Sequence, residues 1–315
     1  MKAVAVGRRA ISVVNSIVDV MALTIIILSI AYAAFALWDS NQIYHIADKS
    51  YYAVYKPTVK NEGRTFKELQ AINPEVIAWV NVFGTNIDYP VPQGEYNMKY
   101  INTNVEGQYS FSGSIFLDSS NSKDFSNFNS ILHGHHMEKN AMFGDVGEFS
   151  EKEIFDTHLY GNLYYDETDH GIEFFAFVRT TAYDQMVFRA NLQDNEQRQE
   201  YLDYLLANAM YKRDIGVTTG DRIILLITCS AAATHGRDVL AGRITDRVFD
   251  DSFYGAAPDL LHSVDSQRGL FPMLTTEFRD IAIAMAMAIV IVAVIVIAPI
   301  TVIVITHRRN KEERY

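Results

Sequence analysis

Two stretches of this 315-residue chain carry no formal charge, residues 20–38 and residues 281–305. Each is long enough to cross a hydrocarbon core about 30 Å thick, and Pro299 within the second is tolerable in a membrane helix. Lys2, Arg8 and Arg9 precede the first stretch, and Arg308, Arg309, Lys311 and Arg314 follow the second. The excess of basic residues at both ends places both termini in the cytoplasm and the segment between the spans outside. The expected organisation is a cytoplasmic N-terminus (1–19), a transmembrane helix (20–38) and a juxtamembrane helical segment (39–64). An extracellular catalytic domain (65–250), an extracellular linker (251–280), a second transmembrane helix (281–305) and a cytoplasmic tail (306–315) complete it. Residues 31–33, Ala-Tyr-Ala, resemble a signal-peptide cleavage site. The apolar run is longer than the usual h-region, which favours an uncleaved anchor. The second stretch lacks a polar face, which argues against a buried core helix.

The whole chain has a formal net charge of −11. Each membrane flank contributes two positive charges, so the outer segment carries −15. That balance excludes a nucleic-acid binder, which needs a basic face. The single cysteine, Cys229, falls in the outer segment. An unpaired thiol in an oxidising compartment is a liability unless it is used, although a buried, inert cysteine is the competing reading.

Thr65 and Glu68 have capping-box spacing for a short helix, which Asn73-Pro74 ends. Short strands follow at 77–82, 87–91, 114–117, 130–132, 159–165, 173–180, 222–228 and 239–244, punctuated by Gly, Asn, Asp and Pro. Eight short strands in about 170 residues predict a closed or nearly closed β-barrel. Residues 195–213 break this rhythm. Tyr201, Leu202, Leu205, Leu206, Ala209 and Met210 follow the spacing of an amphipathic helix.

A thiol reacts as the thiolate and needs a base or imidazolium, with a donor for the oxyanion formed on a carbonyl. His133, His135 and His136 cluster, and the alternation of a strand puts His133 and His135 on one face. The three histidines lack a carboxylate or cysteine at a metal-ligand spacing, so neither a metal nor another cofactor is expected. His235 reads as a loop histidine. Arg237 opens an apolar strand eight residues after Cys229 and offers a fixed fork of donors. An ordinary strand-end arginine is the competing reading, and Arg243 is a second candidate further along. Spacing alone does not bring these residues together.

The segments "GTNIDYPVPQG", "GSIFLD", "NSILHGHHM" with "MFGD", and "LLITCS" with "RDVLAGRI" resemble, in order, the blocks of class B sortases over roughly residues 65–245. The helix before the Cys strand resembles the insertion that distinguishes that class. The resemblance implies an eight-stranded sortase-type barrel, mainly β, with an N-terminal helix. It implies a membrane-anchored cysteine transpeptidase of a Gram-positive surface. Cys229 is then the nucleophile that cleaves a sorting signal after Thr, His135 the acid and base, and Arg237 the oxyanion and substrate-positioning group. Thr228 and Ser230 are candidate substrate-binding neighbours, and Asp118 is expected to order its loop. The implied partners are secreted proteins with a C-terminal sorting signal and an amine acceptor, either a lipid-linked wall precursor or a pilin lysine.

Three features depart from the family pattern. His136 follows the Gly134-His135 pair where the family usually has Asn. His133 stands where Tyr is common. The Cys-to-Arg loop is short. The second span is similar to that of pilus-building sortases, so pilin polymerisation stands beside wall anchoring. A membrane cysteine protease using water and a non-catalytic surface binding module are the competing functions.

Overall fold

The computed structural model describes residues 2–57, 64–230 and 234–253. The expected second span, the linker before it from residue 254 onward and the C-terminal tail lie outside the described residues. The first apolar stretch lies within one helix, α1, Lys2–Ala47. It is long and apolar enough to cross a membrane and is not buried against the rest of the chain. It runs nine residues past the expected span before Asp48, whose side chain accepts from Ser50 N and caps the short α2, Lys49–Tyr52. The Tyr89 hydroxyl donates to Ala47 O (2.8 Å), fixing the end of α1 to the domain.

Helix α3 spans Arg64–Ile72. It already includes Arg64, so Thr65 lies in its first turn and not at the cap position expected for it. Asn73 closes the helix, its N–H donating to Leu69 O. The strands follow as β1 Val76–Val82, β2 Asp88–Pro92, β3 Phe116–Leu117, β4 Asn129–His133, β5 Tyr160–Tyr165, β6 Thr168–Thr181, β7 Ala209–Lys212, β8 Arg222–Cys229 and β9 Gly236–Thr245. Helix α4 (Lys152–Thr157) precedes β5, and α5 (Asn195–Ala207) precedes β7.

Eight strands form a nearly closed barrel in the order β2-β1-β5-β6-β9-β8-β4-β3, with β7 attached to β6. The pairings are antiparallel except β4 with β8. At the seam between β2 and β3 a side chain stands in for a ladder. Gln93 Nε2 donates to Asp118 O (2.8 Å) and Asn121 O (2.7 Å).

The expected helix over 195–213 ends six residues early. Asp194 caps it through Gln197 N, and Asn208 stands at its C-cap. Ala209, Tyr211 and Lys212 then pair along β6 beyond the point where β5 stops, with Met210 at a bulge between them. The open edge of a long strand supplies backbone partners that outweigh four residues of helical side-chain spacing.

Strand β8 is buried from Ile223 to Thr228 because both of its faces are covered. Ile224 and Leu226 face the barrel interior with Phe174, Phe177 and Leu240. Ile223, Leu225 and Ile227 face outward, under Tyr201, Leu202 and Leu205 of α5. A strand covered on both sides reads as a continuous apolar run. Tyr201 ties the helix down: its hydroxyl donates to Val187 O and accepts from Asn129 Nδ2, both at 2.9 Å.

Candidate active site at the ends of β4, β8 and β9

The outer cover of β8 ends at Ile227, and Cys229 is the next residue on that face. Its thiol is therefore exposed, at the last position of the strand. The neighbours on each side are set by register. On one side, Cys229 is the cross-strand partner of Arg237. On the other, β4 runs parallel with His133 beside Ile227, and Gly134 N–H donates to Ile227 O (3.1 Å). The thiol thus stands between the strand end that leads to His135 and the strand start that carries Arg237. Ser230 N–H donates to Gly236 O (2.9 Å) and draws the two ends of the Cys–Arg loop together.

His135 follows β4 by two residues and is half-buried. Its Nε2–H donates to Ile101 O (2.9 Å). A carbonyl oxygen only accepts, so Nε2 carries the hydrogen and Nδ1 is the nitrogen left to exchange a proton. Ile101 ends a 3₁₀ turn, Asn97–Ile101. A close backbone approach protects that carbonyl: a Cβ at Gly113, whose φ is +57°, would lie 2.3 Å from Ile101 O.

Arg237 is half-buried, and its Nη1 donates to Gly236 O (2.9 Å). Asp238, next in the strand, points the other way into the barrel. There it is 2% exposed and pairs with Arg179 at 2.7 Å. A buried carboxylate needs such a partner, and the pair fixes the start of β9 from behind. The sequence reading missed this pair. Its signal was a charged residue at the inward position of an apolar strand. Arg243 pairs with Glu173 far along β9 at 2.6 Å, away from the thiol.

Thr228 and Ser230 flank the thiol and are both buried, with Thr228 Oγ1 turned toward the barrel interior. His235 is exposed in the loop before Arg237 with a positive φ of 61°, and its ring lies 5.5 Å from that of Tyr183.

The three clustered histidines take three different environments. His133 Nε2–H donates to Asp118 Oδ2 (2.9 Å), His135 bonds Ile101 O, and His136 is exposed, its backbone bridging to Met142. As expected, Asp118 orders its loop, accepting from Ser120 N (2.9 Å) and Asn97 Nδ2 (2.7 Å). Burial raises the Asp118 carboxyl, but the bonds from His133 and Ser120 outweigh it and hold it well below the usual carboxylate range. A depressed acid stabilises the fold above its unfolded value, about pH 4, and that contribution is lost as pH falls further. The melting-temperature gap between wild type and Asp118→Asn is therefore expected to narrow from pH 6 to pH 3. A gap independent of pH would show that the carboxylate's charge is not what stabilises this corner.

A single exposed thiol on the rim of a β-barrel, with an imidazole strand end on one side and an arginine on the other, defines a barrel-borne cysteine acyl-transfer enzyme. No family model matches the chain. Sortase B of Staphylococcus aureus is 30% identical over 181 residues, 57% of this chain and 74% of the relative. A crystal structure of sortase B from the type II pilus of Streptococcus pneumoniae is 44% identical, covering 58% of this chain and 99% of that one, with a TM-score of 0.51. A Streptococcus pyogenes class B sortase involved in pilus biogenesis is 37% identical over 58% of this chain and 99% of its own, with a TM-score of 0.54. The chain belongs to the class B sortases, cysteine transpeptidases of the sortase type.

Proposed function

We propose that the protein cleaves a sorting signal after its threonine and joins the new carboxyl end to an amine, with Cys229, His135 and Arg237 as the catalytic set. The observation that carries this reading is the cross-strand pairing of Cys229 with Arg237 beside the strand end leading to His135.

In the first half-reaction the Cys229 thiol gives its proton to His135 Nδ1, and the thiolate Sγ attacks the threonine carbonyl carbon. The oxyanion is held by Arg237, whose fork is suited to a planar oxygen ligand. The C–N bond breaks, and the leaving amine takes a proton from His135 Nδ1. In the second half-reaction an amine attacks the thioester, His135 Nδ1 accepts its proton, and the C–S bond breaks. Buried Thr228 and Ser230 shape the floor on either side of the thiol.

The substrates in this reading are secreted proteins with a C-terminal sorting signal. The acceptor is either a lipid-linked wall precursor, for surface anchoring, or a pilin lysine. Similarity to two pilus-associated class B sortases, at 44% and 37% identity, favours the pilin reading as the alternative to wall anchoring. Helix α1 serves as the membrane anchor and the barrel works on the outer side. The domain boundaries are those set out from the sequence, with the stretch at 281–305 as a second span.

The test is intact-mass spectrometry of the full chain in detergent micelles with Asn-Pro and Leu-Pro sorting peptides. Triglycine or a lysine-bearing pilin peptide serves as acceptor. The expected result is a thioacyl adduct on Cys229 that the amine resolves to amide. Hydrolysis unaffected by either amine would instead make the protein a protease.

A further inference from the structure

A closed chain of polar contacts starts and ends at His135. Its ring is set by the carbonyl of Ile101. Ile101 is the last residue of the 3₁₀ turn whose first residue is Asn97. Asn97 is held at both side-chain atoms: Nδ2 donates to Asp118 Oδ2 and Oδ1 accepts from Ser119 N–H, each at 2.7 Å. Asp118 Oδ2 also accepts from His133 Nε2 at 2.9 Å. His133 ends β4, two residues before His135. The backbone supports the same frame, since Asp118 N–H donates to Ile131 O (2.8 Å) and Ser114 N–H to Tyr100 O (3.0 Å).

We propose that His133 and Asp118, acting through Asn97, are positioning residues that hold the Ile101 carbonyl against His135 and thereby fix its tautomer and ring orientation. This rests on the reading of His135 as the acid–base group. A neutral imidazole with no fixed partner distributes its hydrogen between the two nitrogens. The Ile101 carbonyl removes that choice by accepting from Nε2, so Nδ1 is the nitrogen presented to the reaction. The carbonyl has no side chain of its own to hold it in place. Its position depends on the 3₁₀ turn, and the turn is pinned at its start by an ionised, mostly buried carboxylate. His133 completes the circuit from the end of the strand that leads to His135, so the acid–base residue and its acceptor move as one unit. Misplacement of a catalytic group by about 1 Å can cost on the order of a hundredfold in rate.

The test uses the full chain in detergent micelles, labelled with ¹⁵N-histidine. The His135 signals are assigned by their loss in His135→Ala. In wild type, neutral His135 is expected as the Nε2–H tautomer. In His133→Leu and in Asn97→Ala, which breaks the circuit without altering β4, its ¹⁵N shifts move toward a mixture of tautomers. With a sorting peptide that acylates Cys229 and triglycine as acceptor, kcat falls on the order of tenfold and KM changes by less than about twofold. His133→Gln keeps a donor for Asp118 and retains the wild-type tautomer and most of kcat.

An unchanged tautomer and kcat in both breaking variants would overturn the proposal. So would a rise in KM alone, which would make His133 a substrate contact. Should His135→Ala itself keep full turnover, it is the acid–base assignment that falls. The tautomer shifts then still report whether the circuit orients the ring.

Discussion

Cys229→Ala is expected to leave the fold intact and to abolish every covalent step. No thioacyl adduct and no amide product should form with any sorting peptide, by intact-mass spectrometry and product chromatography. The chain has no second cysteine to substitute for it. The side chain is exposed beyond the apolar cover of β8, so removing its sulfur leaves no cavity. Exposed substitutions of this kind change stability by about 0.5 kcal/mol or less, and the melting temperature should stay within a degree or two of wild type. Amide formation that persists in the alanine variant would remove Cys229 from the mechanism.

The second large effect is expected at Arg237. Loss of one oxyanion donor typically costs 10²–10³ in kcat, and Arg237→Ala should fall in that range. Lysine keeps the charge but not the planar fork, so Arg237→Lys should recover only part of the loss. The fold should survive both changes. Arg237 projects from the outer face, while the ion pair that fixes the start of β9 joins buried Asp238 to Arg179. The decisive measurement is single-turnover acylation of Cys229. A rate within threefold of wild type in Arg237→Ala would assign the oxyanion to other donors.

Much of the fold was legible because the barrel strands repeat apolar residues with turn residues between them. All eight expected strands occur, with edges shifted by a few residues. The largest shift is at β6, which begins at Thr168 and not near Glu173. Its first residues, Thr-Asp-His-Gly, look like a loop. They pair with β5 across a two-residue turn, Asp166-Glu167, in which both residues have positive φ. Such turns normally announce themselves with Asn or Gly, and this one does not. β7 was hidden for a different reason. Ala209 and Met210 continue the helical spacing of α5, and only the free edge of β6 makes them a strand.

The candidate site was legible in its residue types and not in its geometry. Cys229, the histidine cluster and Arg237 stood out, and the family resemblance picked His135 from the cluster, but loop length does not fix register, and the pairing of Cys229 with Arg237 emerges only from the β8–β9 ladder. The Ile101 carbonyl that orients His135 has no sequence signal, since any residue supplies a carbonyl. Asp118 was seen as a loop-ordering residue, while its bond to His133 depends on β3 pairing with β4.

The parallel pairing of β4 with β8 sets when the site comes into being. Residues 129–133 wait for residues 223–227, and β9 must follow to bring in Arg237. Contacts so distant in sequence form late, after the loop-closure entropy has been overcome. During synthesis, the histidine strand therefore emerges long before the thiol it flanks. When the thiol arrives, it has neither neighbour until β8 slots between β4 and β9. A nascent chain thus carries no assembled site, and competence arrives only with the closing strands of the barrel.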